Sequence, residues 1–266
     1  MLIDLYFVFS IFLGIKSVVS IQINYIKVPA AVKNDSQHPV ILDCNYSIRP
    51  DDTEVVVKWY LNDEVVYQWI PPQKPQSLGV LKNNVDLEYR ASDDPKTVFR
   101  AVKINNPTEK MAGEYKCFVS TFADEDFSTK NMIVFEPERY LTVEKSGEDN
   151  TIVNFTCSAF DVYPSPKLIL YKDNRDDFYN KNRLQIVHWD INKNQNGRYS
   201  VSVIATVASE LITPGTIISC ELRIPGTGYV KIKNILYYPS PPSKGKGFMV
   251  QHDLWIISLI FYCLIM

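Results

Sequence analysis

Apolar and polar residues alternate with a period of two along most of the chain between residues 23 and 235, the pattern of half-buried β-strands. Residues 23–28 and 40–44 read as two strands broken by Pro29 and a polar turn. In the stretch 57–61, Val57, Trp59 and Leu61 share one parity and Lys58 and Tyr60 the other. Side chains alternate across a strand, so the first three face a core and the other two face water. A further strand, 64–70, is stopped by Pro71 and Pro72. Residues 85–90, 98–104, a strand ending at Cys117, and 128–135 complete this half, with 121–126 as the loop before the last strand.

Within that pattern Trp59 follows Cys44 by fifteen positions, and Tyr115 stands two before Cys117 in Gly113-Glu114-Tyr115-Lys116-Cys117. This is the spacing of an immunoglobulin sandwich. Cys44 and Cys117 would lie on strands B and F of opposite sheets, joined by a disulfide on which the Trp59 indole packs. The Tyr115 hydroxyl would bond back to the backbone at the E–F corner. The two cysteines enclose 72 residues, room for an added strand C′ at 64–70, so this domain reads as variable-type. Phe118, next to an inward cysteine, should point outward.

A second domain repeats the scheme less completely. Cys157 and Cys220 pair naturally and enclose 62 residues, which suits a constant-type sandwich without C′ and C″. The position for the core tryptophan holds Leu170, and Ile218 stands two before Cys220. These side chains fill the volume but offer no corner hydrogen bond. Trp189 reads as a core or edge residue, and the polar run 192–197 as a surface loop. Between the domains, Pro137 and the charged residues 136–139 form a linker too short for free swinging. The fold class is therefore all-β, two tandem immunoglobulin-like sandwiches, distal variable-type (21–137) and proximal constant-type-like (138–238).

Both ends point outside the cytosol. Residues 5–14 form an apolar run of signal-peptide length, with Val18 and Ser20 as the small residues before a cleavage site, so 1–20 is expected to be removed. Asp4 stands where a basic residue is usual; a membrane anchor or a buried first strand is the other reading. Beyond Tyr238 a polar spacer (239–253) precedes an apolar tail (254–266). A thirteen-residue helix reaches about 20 Å, short of the roughly 30 Å hydrocarbon core. A GPI-attachment signal is expected, with Ser243 or Gly245 as the attachment residue; a short tail anchor, or a C-terminus that is not the natural one, is the alternative. Four of the five cysteines pair off, which also fits an oxidising compartment, and Cys263 lies in the tail.

The net charge of −2 is spread without a basic stripe, so no nucleic-acid partner is expected. The mature chain keeps only His38 and His188, and has neither a Gly-x-Ser-x-Gly element nor metal-ligand spacing. No catalytic residue, cofactor, metal or small-molecule substrate is expected. Asp124-Glu125-Asp126 reads as a solvated loop rather than a calcium site. The Asn-x-Ser/Thr triplets at Asn34, Asn45 and Asn154 are glycan candidates, and Asn45 and Asn154 have outward parity. Strand B belongs to the sheet opposite C–C′–F–G, so those glycans leave the latter face free.

That face is aromatic. Tyr60, Phe118 and one of the Tyr67/Trp69 pair or its neighbours are expected on it with Lys58, and Phe122 at the loop edge; the other reading turns Tyr67 and Trp69 inward or covers them with the second domain. An apolar patch left in water marks a binding surface, and tyrosine and tryptophan dominate such surfaces.

Lys58-Trp59-Tyr60, followed by Tyr67-Gln68-Trp69-Ile70-Pro71-Pro72, resembles the "KWY…FYRYxPP" stretch of the beaten path proteins, insect immunoglobulin-superfamily axon-guidance molecules. The similarity extends to residues 113–120 and to Phe155-Thr156-Cys157-Ser158. Two positions depart from it: Gln68 replaces a basic residue, and Met111 replaces the aspartate usual before the tyrosine corner. The resemblance implies a cell-surface or secreted protein that binds sidestep-family receptors on opposing cells through its distal domain. A soluble secreted protein capturing a circulating or immune ligand through its loops is the alternative.

Overall fold

The computed structural model describes residues 21–149, 151–174 and 177–240, with backbone alone at 173–174 and 177–181. The signal-peptide, spacer and tail readings, with Ser243 and Gly245, lie outside the described residues. The first sandwich contains β1 (Gln22–Lys27), β2 (Ala31–Lys33), β3 (Val40–Ser47), β4 (Val56–Leu61), β5 (Glu64–Trp69), β6 (Gln76–Ser77), β7 (Val102–Ile104), β8 (Gly113–Ser120) and β9 (Glu125–Phe135). One sheet has the order β1-β3-β7 and the other β2-β9-β8-β4-β5-β6. After the break at Pro29 the chain switches sheets, so β2 runs parallel to β9.

The disulfide Cys44–Cys117 joins β3 to β8 through the core, with a Cα separation of 6.3 Å. Trp59 lies directly opposite Cys117 in the ladder and is fully buried. The Tyr115 hydroxyl donates to the Met111 carbonyl at 2.9 Å, closing the corner, and burial pushes this phenol well above its ordinary pKa. Met111, where an aspartate would have formed an ion pair, is itself buried in the core.

Residues 85–90 are not a strand. Only Val85 bridges Ile104, and the segment continues as turns. The carboxylates of Asp86 and Asp94 accept from the backbone N–H groups of Glu88 and Lys96, offering the chain local partners in place of a ladder. The strand expected over 98–104 shrinks to β7, and the carbonyls of Phe99 and Arg100 before it accept from the Tyr67 and Trp59 side chains rather than from a ladder. What ties the irregular region down is a set of buried rings with polar tips. Tyr46, Tyr67 and Trp59 donate to the carbonyls of Lys96, Phe99 and Arg100 at 2.6–3.0 Å, while Trp69 donates to Gln73 in the loop after β5 at 3.0 Å.

The second sandwich contains β10 (Tyr140–Glu148), β11 (Ile152–Val162), β12 (Lys167–Asn174), β13 (Asp177–Arg183), β14 (Ile186–Lys193), β15 (Tyr199–Ala208), β16 (Ile217–Arg223) and β17 (Val230–Leu236). Its sheets have the orders β10-β11-β15-β14 and β13-β12-β16-β17, tied by Cys157–Cys220. Leu170 stands opposite Cys220, the place Trp59 holds in the first domain. One expectation is corrected here: a C′ strand exists, because β13 pairs with β12. The shorter interval between cysteines has room for it, since the longer one of the first domain is spent on the irregular segment rather than on strands. The polar run at 192–197 starts inside β14, and only its second part is a turn.

The linker is clasped. Glu136 and Tyr163 exchange both backbone hydrogen bonds, at 2.8 and 3.0 Å, and the Phe135 and Tyr229 rings meet at 5.7 Å. The Arg198 guanidinium lies 3.3 Å from Glu109, 3.7 Å from Glu136 and 3.9 Å from Asp161, linking side chains of both sandwiches. These backbone, ring and ion-pair contacts join the two sandwiches directly at the linker.

Candidate binding face

The β9-β8-β4-β5 part of the large sheet turns its outer side to solvent. Direct cross-strand partners share a face. Lys58 is opposite Phe118 on one side and Gln68 on the other; Tyr60 is opposite Lys116, and Phe118 is opposite Phe127. The Tyr60 and Phe118 rings meet edge to face at 6.4 Å, a favoured aromatic geometry. The Lys116 ammonium sits 4.7 Å above the Tyr60 ring and 3.3 Å from Asp63. Tyr60, Phe118 and Lys58 are half-buried, whereas Phe127 is 62% exposed.

The turn between β8 and β9 presents Phe122 at 81% exposure. Thr121 and Asp124 close this turn through a 2.8 Å backbone hydrogen bond, and the Phe122 N–H donates to Thr53 in the neighbouring loop at 3.1 Å. The ring is therefore held in water by its own backbone. The acidic residues beside it serve the backbone too: Asp124 accepts from Glu125, and Asp126 accepts from Phe127 and Ile23. Among the described residues no group of three or more His, Cys, Asp or Glu is arranged to hold a metal ion.

Tyr67 and Trp69 are not on this face. Both are buried in the core, opposite the inward residues Trp59 and Val57. The cause is one residue. Asn62 and Asp63, both with positive φ, make a two-residue hairpin turn that pairs Leu61 with Glu64. Continued regularly, that register would carry Tyr67 and Trp69 outward. Val66 is instead an extra residue in β5, the register slips by one, and every later side chain changes face.

Phe127 was missed in the sequence, where 121–126 reads as loop and the last strand as starting at 128. The four-residue turn Thr121–Asp124 lets β9 begin at Glu125 and brings Phe127 opposite Phe118. The phenylalanine within a loop-like run was the available signal.

Asn45 and Asn154 lie half-buried on the outward parity of β3 and β11, in sheets other than the aromatic one. Asn34 follows β2 on the large sheet, at its end near the linker, where its amide donates to Glu136 at 2.8 Å. Trp189 lies on β14, the edge strand of its sheet, and is exposed, so it is an edge residue and not a core one.

No protein-family model and no curated protein sequence matches the chain. Solved structures do. The chain superposes on bovine butyrophilin with a TM-score of 0.61 at 14% identity, over 80% of this chain and 98% of that one. It also matches the extracellular portion of mouse CD200RLa at a TM-score of 0.49 and 14% identity, over 77% and 97% of the two chains. The fold is that of tandem immunoglobulin-like domains. At this identity the likeness is one of architecture.

Proposed function

We propose that the chain is an extracellular recognition protein, at the cell surface or secreted, that binds another protein through the outer face of β9, β8, β4 and β5. The observation that carries this reading is the cluster of Tyr60, Phe118 and Phe127, extended by Phe122, left in water on the sheet opposite Asn45. Rigid rings with few rotamers bury area at low entropic cost. Lys58 has no carboxylate within ion-pair distance among the described residues, so the fitting partner presents apolar side chains flanked by acidic ones. The resemblance to the beaten path proteins supports a sidestep-like receptor on an opposing cell, with a role in cell–cell recognition or axon guidance.

Trp69→Ala does not test this face, because the buried indole would take the fold with it. Phe127→Asp does. Its side chain is already in solvent, so melting should stay native while binding to sidestep-family ectodomains falls at least about 30-fold, the effect of losing a hot spot of about 2 kcal/mol. Native melting with undiminished binding overturns the face. Absence of any sidestep-family binding in the unmutated protein overturns the partner.

A further inference from the structure

We infer that the second sandwich carries a self-association edge, β14, which pairs antiparallel with the same strand of a second copy. β14 is the last strand of its sheet, so the edge facing away from β15 has no partner strand among the described residues. From His188 to Lys193 it pairs regularly with β15, after a single bulge at Val187. Exposed edges are normally blunted by charge, proline or brevity. Here the strand is eight residues long without proline, and on its core-parity face Trp189 and Ile191 are apolar, while His188 and Asp190 alternate with them.

Trp189 and Ile191 stand opposite Val203 and Val201, which are buried, so their parity is that of the core. Yet Trp189 is 65% exposed and Ile191 41%. Core-parity side chains in water at a free edge are what a continuing sheet would cover. The three candidate sequons lie elsewhere, at Asn34, Asn45 and Asn154.

Symmetry selects the occupant and the register. Antiparallel pairing of two copies about a twofold axis sets residues of like parity opposite one another. Centring on Asp190 opposes two carboxylates, and centring on Ile191 sets Trp189 against Lys193. Centring on Trp189 stacks the two indoles, sets Ile191 against Val187, and places His188 against Asp190, a donor facing a carboxylate on both sides. The edge is self-complementary in that register. One strand edge is a small interface, at the weak end of specific association, and weak pairing suffices to cluster molecules held on a membrane.

The fragment 21–240, which holds both cores and both disulfides, should sediment as a monomer–dimer equilibrium between about 1 and 200 µM. Trp189→Lys should leave melting unchanged and shift it to monomer, weakening self-association at least tenfold. Trp189→Cys should form a covalent dimer, because opposed Cα atoms lie about 5 Å apart. Asp190→Cys should not, its copies being about 8 Å apart in this register. A native fragment that stays monomeric throughout, a dimer that survives Trp189→Lys, or equal cross-linking by the two cysteine variants overturns the inference.

Discussion

The two sandwiches share a two-sheet core and a disulfide across it, but differ at the sheet edges and in the packing around that disulfide. In the first, large rings fill the centre, and the polar tips of Tyr46, Trp59 and Tyr67 reach carbonyls of a segment that forms almost no strand. In the second, the core that holds the disulfide is aliphatic apart from Phe155 and Tyr237, and a full strand, β14, does what the aromatic donors do in the first. A sheet ladder and a set of buried tyrosine and tryptophan donors are thus alternative ways to hold one edge of the same fold. The first leaves that edge irregular and closed; the second leaves it regular and open.

The largest effects should come from the disulfides and be nearly equal. The bridged residues are 73 and 63 positions apart, and closure entropy depends only on the logarithm of that length. Cys44→Ala with Cys117→Ala, or Cys157→Ala with Cys220→Ala, should each cost about 4 kcal/mol, lowering one of two calorimetric transitions. Exchanging the core residues next to them should be unequal. Trp59→Leu gives the first domain what the second has, and should cost about 3 kcal/mol through the cavity and the orphaned Arg100 carbonyl. Leu170→Trp should cost about 1–3 kcal/mol by overpacking a core already filled at this position by a smaller side chain. Two equal losses would show that the packing around the sulfurs is interchangeable.

A smaller effect separates the corners. Tyr115→Phe removes a hydrogen bond inside a buried site and should destabilise the first transition by about 1–2 kcal/mol. Tyr67→Phe should cost about 1 kcal/mol and speed amide exchange around Phe99, whose carbonyl loses its donor. Unchanged exchange there would mean that the aromatic tips do not anchor the irregular segment.

How much of this was legible in the sequence follows from how far each signal had to travel. Cys44, Trp59, Tyr115 and Cys117 are fixed by parity and short offsets, and both disulfides and the corner bond stand where those offsets put them. Tyr67 and Trp69 were not legible, because their facing depends on one bulged residue, Val66, that no alternation reveals. The stretch 85–90 has strand-like letters, but Asp86 and Asp94 give its neighbourhood local hydrogen bonds instead. Phe127 and the exposure of Trp189 depend on loop length and sheet extent, both set by the whole fold. On the candidate face, Lys58, Tyr60, Phe118 and Phe122 could be placed from the sequence alone, while Phe127 came from the pairing.

The smallest expected effect concerns the far end of the second sandwich, and it has no counterpart at the disulfides. Glu148 accepts from the Lys145 ammonium and the Tyr237 hydroxyl, both at 2.7 Å, and from the Ser240 amide at 2.7 Å. The Lys145 bond first, then those of Ser240 and Tyr237, lower its pKa from 4.5 to about 2. A carboxylate depressed by folding adds stability that is complete above its unfolded value and is lost as pH falls from about 4.5 towards 2. Glu148→Gln should therefore flatten the acid side of the second transition between those limits and leave the first transition's pH profile as it was. Protonation should also release Ser240 before the sandwich unfolds, seen as faster exchange of its amide near pH 3 than at pH 6 after correction for the intrinsic rate. An acid profile identical in the variant would mean that the chain leaves the second domain without being clasped by Glu148.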